Sequence, residues 1–337
     1  MTERIAVVVT SINRPNAVLS GIAQGCAENG WRFYLAGDRK SPADFGLSGC
    51  EFLSAEDQLA SGFASARAMP FNHYSRKNVG YLVAIRNGAQ VIVETDDDNI
   101  PLDAFWSPRV RALDVAEVEN ADWINVYRYF SGDLIWPRGL PLDAIHQPVP
   151  DFERLPLRTL DCPVQQGLAD DNPDVDAVFR LTFPGVFRFR QDRRVALGRG
   201  TWCPFNSQNT TFWHDAFPLL YLPSYCSFRM TDIWRSFVAE RICWENGWSV
   251  LFHEPTVRQE RNVHDLIRDF ADEVPGYLNN RKIGAMLLGL PMKAGLVAIP
   301  GNMRMAYKAL ADAGLVDAAE LPLLDLWLTD LAGADAP

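Results

Sequence analysis

The chain has 337 residues, 48% of them hydrophobic and 22% charged, so it can form one large globular domain with an extension or two domains. Its formal net charge is −10, which argues against a general nucleic-acid-binding protein, because binding to a phosphate backbone requires clustered Lys and Arg. The start, MTERIAVVV, lacks the apolar core and cleavage site of a signal peptide, and the six cysteines form no C-x-x-C pair. The most apolar later stretch, residues 285–300, is interrupted by Pro291 and Lys293. We therefore expect a reduced, cytoplasmic protein with no transmembrane segment, which can also form a homo-oligomer.

Strand and helix signals alternate along the first hundred residues. The pattern predicts strands at Ile5–Val9, Trp31–Ala36 and Val91–Glu94, and helices at Ala17–Glu28 and Arg76–Asn87. Alternation of this kind is typical of an α/β protein in which helices cover both faces of a parallel sheet.

The second half of the chain has a different composition. Residues 130–230 are rich in Pro, Arg and aromatic residues, with short β-like runs such as Val178–Phe183, so we expect a mixed sheet and long loops there. Met303–Ala313 and Ala318–Leu331 have the spacing of amphipathic helices.

Polar clusters follow the three predicted strands: TSINR at 10–14, GDRK at 37–40 and TDDDN at 95–99. In a parallel sheet, ligands bind beyond the carboxyl ends of the strands, so these clusters together predict a binding site. Each cluster taken alone fits an ordinary polar turn equally well.

Three adjacent carboxylates, Asp96, Asp97 and Asp98, form the most acidic of these clusters. Their mutual repulsion is relieved by a proton or a cation, and a hard divalent ion binds one or two carboxylates together with substrate phosphates. On an extended backbone Asp96 and Asp98 can share a face. A solvated acidic turn or a helix N-cap before IPLDAF is the alternative.

Basic residues precede the acidic strand in SRKNVGY, where Arg76, Lys77 and Asn78 occupy the first turn of a predicted helix. A helix start with positive side chains suits an anionic diphosphate, although a solvated helix face would look the same. Asp38, after the second strand, can accept hydrogen bonds from a ribose or a base.

Six ordered blocks of the chain resemble the STELLO-type glycosyltransferase-like family and, more distantly, the reversibly glycosylated polypeptides, which are UDP-arabinopyranose mutases. The blocks are TSINRPN (10–16), AGDRKSP (36–42), RKNVGYLVAIRNGAQVIVETDDDN (76–99), GLADDNPDVDAVFRLT (167–182), FNSQNTTF (205–212) and DIWRSFVAERICWENG (232–247). The resemblance covers about residues 5–280 and leaves roughly the last 55 outside. It implies a GT-A nucleotide-sugar domain with a mixed central sheet over residues 1–280, followed by a helical extension over residues 281–337.

The resemblance also implies site residues. The acidic triplet becomes the D-x-D motif, with Asp98 as a ligand of Mn²⁺ or Mg²⁺ and with Asp96 and Asp97 contacting the sugar nucleotide. The nucleoside pocket is expected from the residues after the first two strands: Thr10, Asn13, Arg14 and Asp38. Many family members carry an N-terminal membrane anchor, which MTERIAVVV does not resemble.

Two further residues acquire roles from the GT-A pattern. Asp232 in RMTDIWRSF is a candidate general base for an inverting transfer, and it equally suits a helix N-cap. His264 is a candidate third metal ligand, with His214 and His253 as competitors and a surface histidine as the plainer interpretation.

Amides and arginines supply the remaining candidates. Asn206, Gln208 and Asn209 alternate in FNSQNTTF as on one face of a strand, and amides suit sugar hydroxyls. Five arginines in RFRQDRRVALGR predict either a clamp for an anion or a solvated hairpin.

Together these features predict a metal-dependent glycosyltransferase of glycan, glycoconjugate or polysaccharide biosynthesis, which moves a sugar from a nucleotide-diphosphate donor to an acceptor hydroxyl. One alternative is a nucleotide-sugar mutase, which returns the sugar to the same diphosphate. Another is a non-catalytic nucleotide-sugar-binding subunit of a polysaccharide-assembly complex. A nucleotidyltransferase is disfavoured, because TSINRPN stands where a glycine-rich phosphate loop would follow the first strand.

Overall fold

The computed structural model describes residues 3–262 and 265–335. Its strands are β1 Ile5–Thr10, β2 Arg32–Ala36, β3 Glu51–Leu53, β4 Val91–Thr95, β5 Asn99–Pro101, β6 Ala112–Val118, β7 Asp122–Trp123, β8 Leu157–Asp161, β9 Val164–Asp170, β10 Arg194–Leu197, β11 Thr201–Trp202, β12 Asn209–Trp213 and β13 Val250–Gln259. Its helices are α1 Ala17–Asn29, α2 Ala55–Ala60, α3 Ala64–Ala68, α4 Lys77–Arg86, α5 Ala177–Thr182, α6 Thr231–Glu245, α7 Leu266–Leu288, α8 Ile299–Asp312 and α9 Glu320–Ala334.

One large mixed sheet organises the molecule. Its strands run in the order β3-β2-β1-β4-β12-β9-β13-β10-β6-β8, and β5 pairs with β13. The first four of these strands are mutually parallel, whereas β12 is antiparallel to both neighbours. The α/β class with a mixed central sheet, predicted from the sequence, is therefore confirmed.

The first strand shows why this half of the sheet is parallel. Val7, Val8 and Val9 are each 0% exposed, so both faces of β1 are covered, as a strand in a parallel sheet requires. Helix α1 begins where Asn16 accepts a hydrogen bond from the backbone N–H of Leu19, and it presents an apolar face to the sheet. It ends at Gly30, whose φ of 69° lies in the left-handed region that glycine adopts without strain.

Two local predictions in the middle of the chain are wrong. Val178–Phe183 is not β-like, because Asp176 caps helix α5 by accepting a hydrogen bond from Phe179 N at 2.7 Å. The alternating amides do not share one strand face either, since β12 begins at Asn209 and leaves Asn206 and Gln208 in the preceding loop.

The C-terminal region is helical, as predicted. Helix α9 packs over the start of α3, where Asp330 accepts hydrogen bonds from the backbone N–H groups of Ala64 and Ser65 at 3.1 and 2.7 Å. The predicted division after residue 280 falls inside α7. In the described ranges there is no helix with the length and apolar character needed to cross a membrane.

Candidate functional site

A cleft of about 910 Å³ opens at the carboxyl ends of β1, β2 and β4. Because these strands are parallel neighbours, the segments that follow them meet at one edge of the sheet. The lining includes residues from all three polar clusters that the sequence singled out: Thr10, Ser11, Asn13, Asp38, Lys40, Asp96, Asp97 and Asp98.

Asp97 joins the segments after β1 and β4. Its Oδ2 accepts hydrogen bonds from Ser11 Oγ and from Asn13 Nδ2, the latter at 2.8 Å. Its carbonyl oxygen accepts a third bond from Asn16 Nδ2 at 2.8 Å, and Asn16 also caps α1. The carboxylate therefore fixes the conformation of the loop after β1.

Asp96 lies beside a buried lysine. Its Oδ1 accepts hydrogen bonds from Tyr74 Oη at 2.7 Å and from Lys77 Nζ at 3.1 Å. Lys77 is 0% exposed and also donates to Thr95 O at 2.7 Å. Burial raises the pKa of Asp96 to about 6 against the opposing effect of Lys77, and the charge of Asp98 raises it further. A cation at this carboxylate would relieve the same repulsion.

Asp98 is held from the end of β13. It accepts hydrogen bonds from Gln259 Nε2 at 3.1 Å and from the backbone N–H of Asn262 at 3.2 Å. In residues 3–262 and 265–335 no group of three or more His, Cys, Asp or Glu side chains is arranged to hold a metal ion. Asp96 and Asp98 both line the cleft, so two carboxylates are available there to a cation. His264, the predicted third ligand, lies outside the described residues.

The expected nucleoside side of the cleft contains three of its four candidates. Thr10 donates to Ala36 O at 2.9 Å, and Asp38 accepts from the backbone N–H groups of Arg39 and His73 at 2.6 and 3.1 Å. Asn13 also lines the cleft. Arg14 does not: its side chain is 70% exposed and pairs with Asp44 at 3.2 Å.

The structure does not bring Arg76 and Asn78 to the cleft. The guanidinium of Arg76 is buried and donates to Gln58 Oε1 and Ala66 O, both at 2.7 Å. Asn78 exchanges two hydrogen bonds with the backbone of Leu222, each at 2.9 Å. On a helix, consecutive side chains point about 100° apart, so Lys77 reaches Asp96 while its neighbours face the packed interior.

Asp232 lies in the cleft but is fully engaged. Arg138 donates to both of its carboxylate oxygens, and Ser207 donates through its backbone N–H and its hydroxyl, both at 3.2 Å. Burial alone would raise the pKa of Asp232, but Arg138 and then Arg235 outweigh burial and hold this pKa well below its usual range. Such a carboxylate is a weak base, so the geometry favours an orienting role. It does not cap α6.

The loop before β12 contributes one of its two predicted amides. Gln208 lines the cleft and donates to Asn99 Oδ1 at 3.3 Å. Asn206 is buried behind it: its side chain accepts from Gln208 N at 2.9 Å, and its carbonyl oxygen accepts from Arg235 at 3.1 Å. Asn206 therefore shapes the loop rather than lining the cleft.

Sequence reasoning missed the arginines that do line the cleft, among them Arg138, Arg180, Arg229 and Arg261. The sequence analysis instead considered the arginines of the segment RFRQDRRVALGR. These arginines are not among the residues that line the cleft. Arg180 stands in the block GLADDNPDVDAVFRLT, but its orientation depends on α5, which the sequence pattern did not reveal.

Comparisons with known proteins agree with the resemblance. Residues 229–335 match the family model described as STELLO glycosyltransferases. The match includes the C-terminal helices, so the expectation that roughly the last 55 residues lie outside the family was wrong.

Two Arabidopsis thaliana proteins are similar over most of this chain. "Probable glycosyltransferase STELLO1" is 29% identical over 322 residues, which cover 90% of this chain and 41% of that protein. "Probable glycosyltransferase STELLO2" is 30% identical over 301 residues, which cover 84% of this chain and 39% of that protein. The chain thus spans about two fifths of the length of these relatives. These matches confirm the predicted resemblance: the chain is similar to the STELLO glycosyltransferases.

Proposed function

We propose that this chain is a metal-dependent glycosyltransferase of the GT-A type, which transfers a sugar from a nucleotide-diphosphate donor to an acceptor oxygen. The observation that carries the proposal is the meeting of Asp96 and Asp98 with Thr10, Asn13 and Asp38 in one cleft at the carboxyl ends of parallel strands. The similarity to proteins named probable glycosyltransferases supports the same reaction class.

Each residue of the cleft has a distinct role in the proposed reaction. Asp96 and Asp98 would hold Mn²⁺ or Mg²⁺, which when bound supplies positive charge for the departing diphosphate. Lys77 fixes Asp96, and Asp97 fixes the loop after β1 against the acidic segment. Thr10, Asn13 and Asp38 offer hydroxyl, amide and carboxylate groups to the ribose and base.

The first experiment measures the melting temperature of the purified protein with UDP, GDP, CDP, ADP or dTDP, each with and without Mn²⁺. A ligand that binds the folded state raises this temperature, so one nucleotide is expected to do so in a Mn²⁺-dependent manner. Asp98→Ala should abolish the Mn²⁺-dependent shift. Asp325→Ala is the matched control, because Asp325 is an exposed carboxylate on α9.

The absence of a shift with every nucleotide would overturn the nucleotide-sugar proposal. Once a donor base is known, turnover separates the reaction classes. A transferase releases free nucleoside diphosphate, a mutase leaves the concentration of nucleotide sugar constant, and a binding subunit does neither.

A further inference from the structure

A second cavity, of about 270 Å³, adjoins the cleft and shares Arg180, Arg261 and Asn262 with it. Asn262 also donates its backbone N–H to Asp98, so the junction of the two cavities lies next to the acidic segment. Beyond the junction the wall of the smaller cavity combines the aromatic side chains of Phe179, Phe183 and Phe187 with the polar residues Asp171 and Asn172. Cationic and aromatic side chains thus lie side by side at the junction.

Within residues 3–262 and 265–335, Arg180 forms no salt bridge at this junction. Its Nη2 donates to Pro173 O at 2.7 Å, and its Nε is buried without a hydrogen-bond partner. Burial, together with the nearby charge of Arg261, lowers the pKa of Arg180 to about 10, against the opposing charges of Asp174 and Glu273. Its neighbours differ, since Arg229 pairs with Glu273 at 2.9 Å and Arg261 with Asp269 at 2.8 Å. A partly buried cation beside other cations is unfavourable until an anion binds it.

The surface outside the smaller cavity is apolar. In the segment LTFPGVF, Leu181 and Phe183 are each 45% exposed and Val186 is 68% exposed. On the adjacent α7, Ile267 is 67% exposed and follows Leu266, which lines the cavity. Several large apolar side chains exposed together are typical of a surface that binds an apolar partner.

We propose that the junction binds an amphiphilic phosphomonoester, with its phosphate on Arg180 and its hydrocarbon chain along Phe183 and Val186, and that this molecule is the acceptor. The charge of Arg180 complements the phosphate, and the exposed apolar segment complements the chain. That the ligand is the acceptor rests on the proposed function; that it binds at Arg180 does not.

The chemistry of such an acceptor suits the engaged state of Asp232. An ionised phosphate oxygen attacks the anomeric carbon of the sugar, a new carbon–oxygen bond forms, and the bond to the donor diphosphate breaks. The nucleoside diphosphate leaves with the electron pair of the broken bond. A phosphate dianion carries no proton that must be removed, so the transfer needs no general base.

The test is calorimetric titration with farnesyl phosphate below its micellar concentration, with farnesol and inorganic phosphate as comparison ligands. Wild-type protein should bind farnesyl phosphate at least tenfold more tightly than either comparison ligand. Arg180→Gln and Phe183→Ser should each weaken this binding tenfold or more, and Arg180→Lys should restore part of it. Matched controls are Arg154→Gln, at an arginine 86% exposed, and Leu157→Ser, at a leucine 73% exposed.

Several outcomes would overturn the inference: no binding to the wild type, inorganic phosphate binding as tightly as farnesyl phosphate, or equal affinities of Arg180→Gln and Arg154→Gln. The nucleotide shift with Mn²⁺ is measured in the same variants and reports both folding and the donor site. If Arg180→Gln removes that shift while its melting temperature is retained, Arg180 serves the donor and the inference fails. If the wild type binds farnesyl phosphate but no nucleotide, the proposed function fails and the amphiphile site stands.

Discussion

Arg138 binds Asp232 through two parallel hydrogen bonds, from Nη1 to Oδ1 at 2.9 Å and from Nη2 to Oδ2 at 2.8 Å. The same guanidinium binds Asp174, with Nη2 to Oδ2 at 2.7 Å. Both carboxylates and the guanidinium are buried, so one cation links the start of α6 to the segment before α5. Bidentate pairs of this kind fix geometry as well as charge.

We expect Asp232→Asn to lower the free energy of unfolding by about 2 kcal/mol, because it removes a charge from a buried pair but keeps one acceptor oxygen. Nucleotide binding with Mn²⁺ should persist. Urea unfolding measures the free energy of unfolding, and the melting-temperature shift measures nucleotide binding. Asp192→Asn, in an exposed pair with Arg190, is the control. Unchanged stability together with a rate loss above about a hundredfold would instead support a general base.

Substitutions of Asp97 and of Asp98 should affect the Mn²⁺ dependence of nucleotide binding differently. Asp98→Ala is expected to remove only the Mn²⁺-dependent part of the nucleotide shift. Asp97→Ala removes the carboxylate to which Ser11 and Asn13 of the loop after β1 donate, so it should free that loop and weaken nucleotide binding with and without the metal. At a ligand concentration of about 100 times Kd the shift corresponds to about 2.7 kcal/mol.

His264→Ala is tested in the same experiment, because the role of His264 as a metal ligand stays a prediction. A loss confined to the Mn²⁺-dependent part of the shift would support that role. A wild-type shift that EDTA leaves unchanged would contradict a metal site altogether.

Glu94 and Arg235 form a buried pair directly beneath the acidic segment, with side chains 0% and 1% exposed and a distance of 2.7 Å. Glu94→Gln leaves the guanidinium uncompensated, so we expect a loss of about 3–5 kcal/mol in the free energy of unfolding. Urea unfolding measures it. The control is Glu153→Gln, since Glu153 is 74% exposed and pairs with Arg193. If both variants lose the same free energy of unfolding, burial of the ion pair does not determine how much its loss destabilises the protein.

The sequence predicted the part of the site that depends on strand ends. Continuous apolar runs locate β1 and β4, and the parallel arrangement then brings Thr10 and the acidic triplet to one edge. The order of strands beyond β4 depends on pairings between distant segments, such as β12 with β4, which no local pattern encodes.

Orientation of individual side chains was the part that could not be predicted. Arg76 and Lys77 are adjacent and both basic, and only the packing of α4 decides that Lys77 reaches Asp96. Arg138 sits in an irregular segment without periodicity, so its contact with Asp232, 94 residues away, gives no signal in the sequence.

Asp176 should make stability depend on pH. Burial raises its pKa from 3.8 to about 7, against the hydrogen bonds from Phe179 N and Trp136 Nε1, and Glu273 raises it further. A carboxyl whose pKa is higher in the folded than in the unfolded state stabilises the fold fully below pH of about 4, and this contribution is lost as the pH rises to about 7.

The difference in free energy of unfolding between the wild type and Asp176→Asn should therefore fall by at most about 1.4 kcal/mol per pH unit between about pH 4 and 7. Above about pH 7 this difference should stay level. Urea unfolding of both proteins at four pH values measures this difference, in which groups distant from Asp176 cancel. A difference that is constant over the range would show that Asp176 is ionised in the folded state.

Arg180→Met should leave the protein as stable as the wild type or raise its free energy of unfolding by about 1 kcal/mol, because it removes a partly buried cation that forms no salt bridge within the described residues. Arg229→Met is the matched control. It removes the ion-pair partner of Glu273, which is 0% exposed, and should lower the free energy of unfolding by about 3 kcal/mol. Urea unfolding of the three proteins gives both values. If Arg180→Met proves as destabilising as Arg229→Met, Arg180 serves the fold, and its charge needs no ligand to account for it.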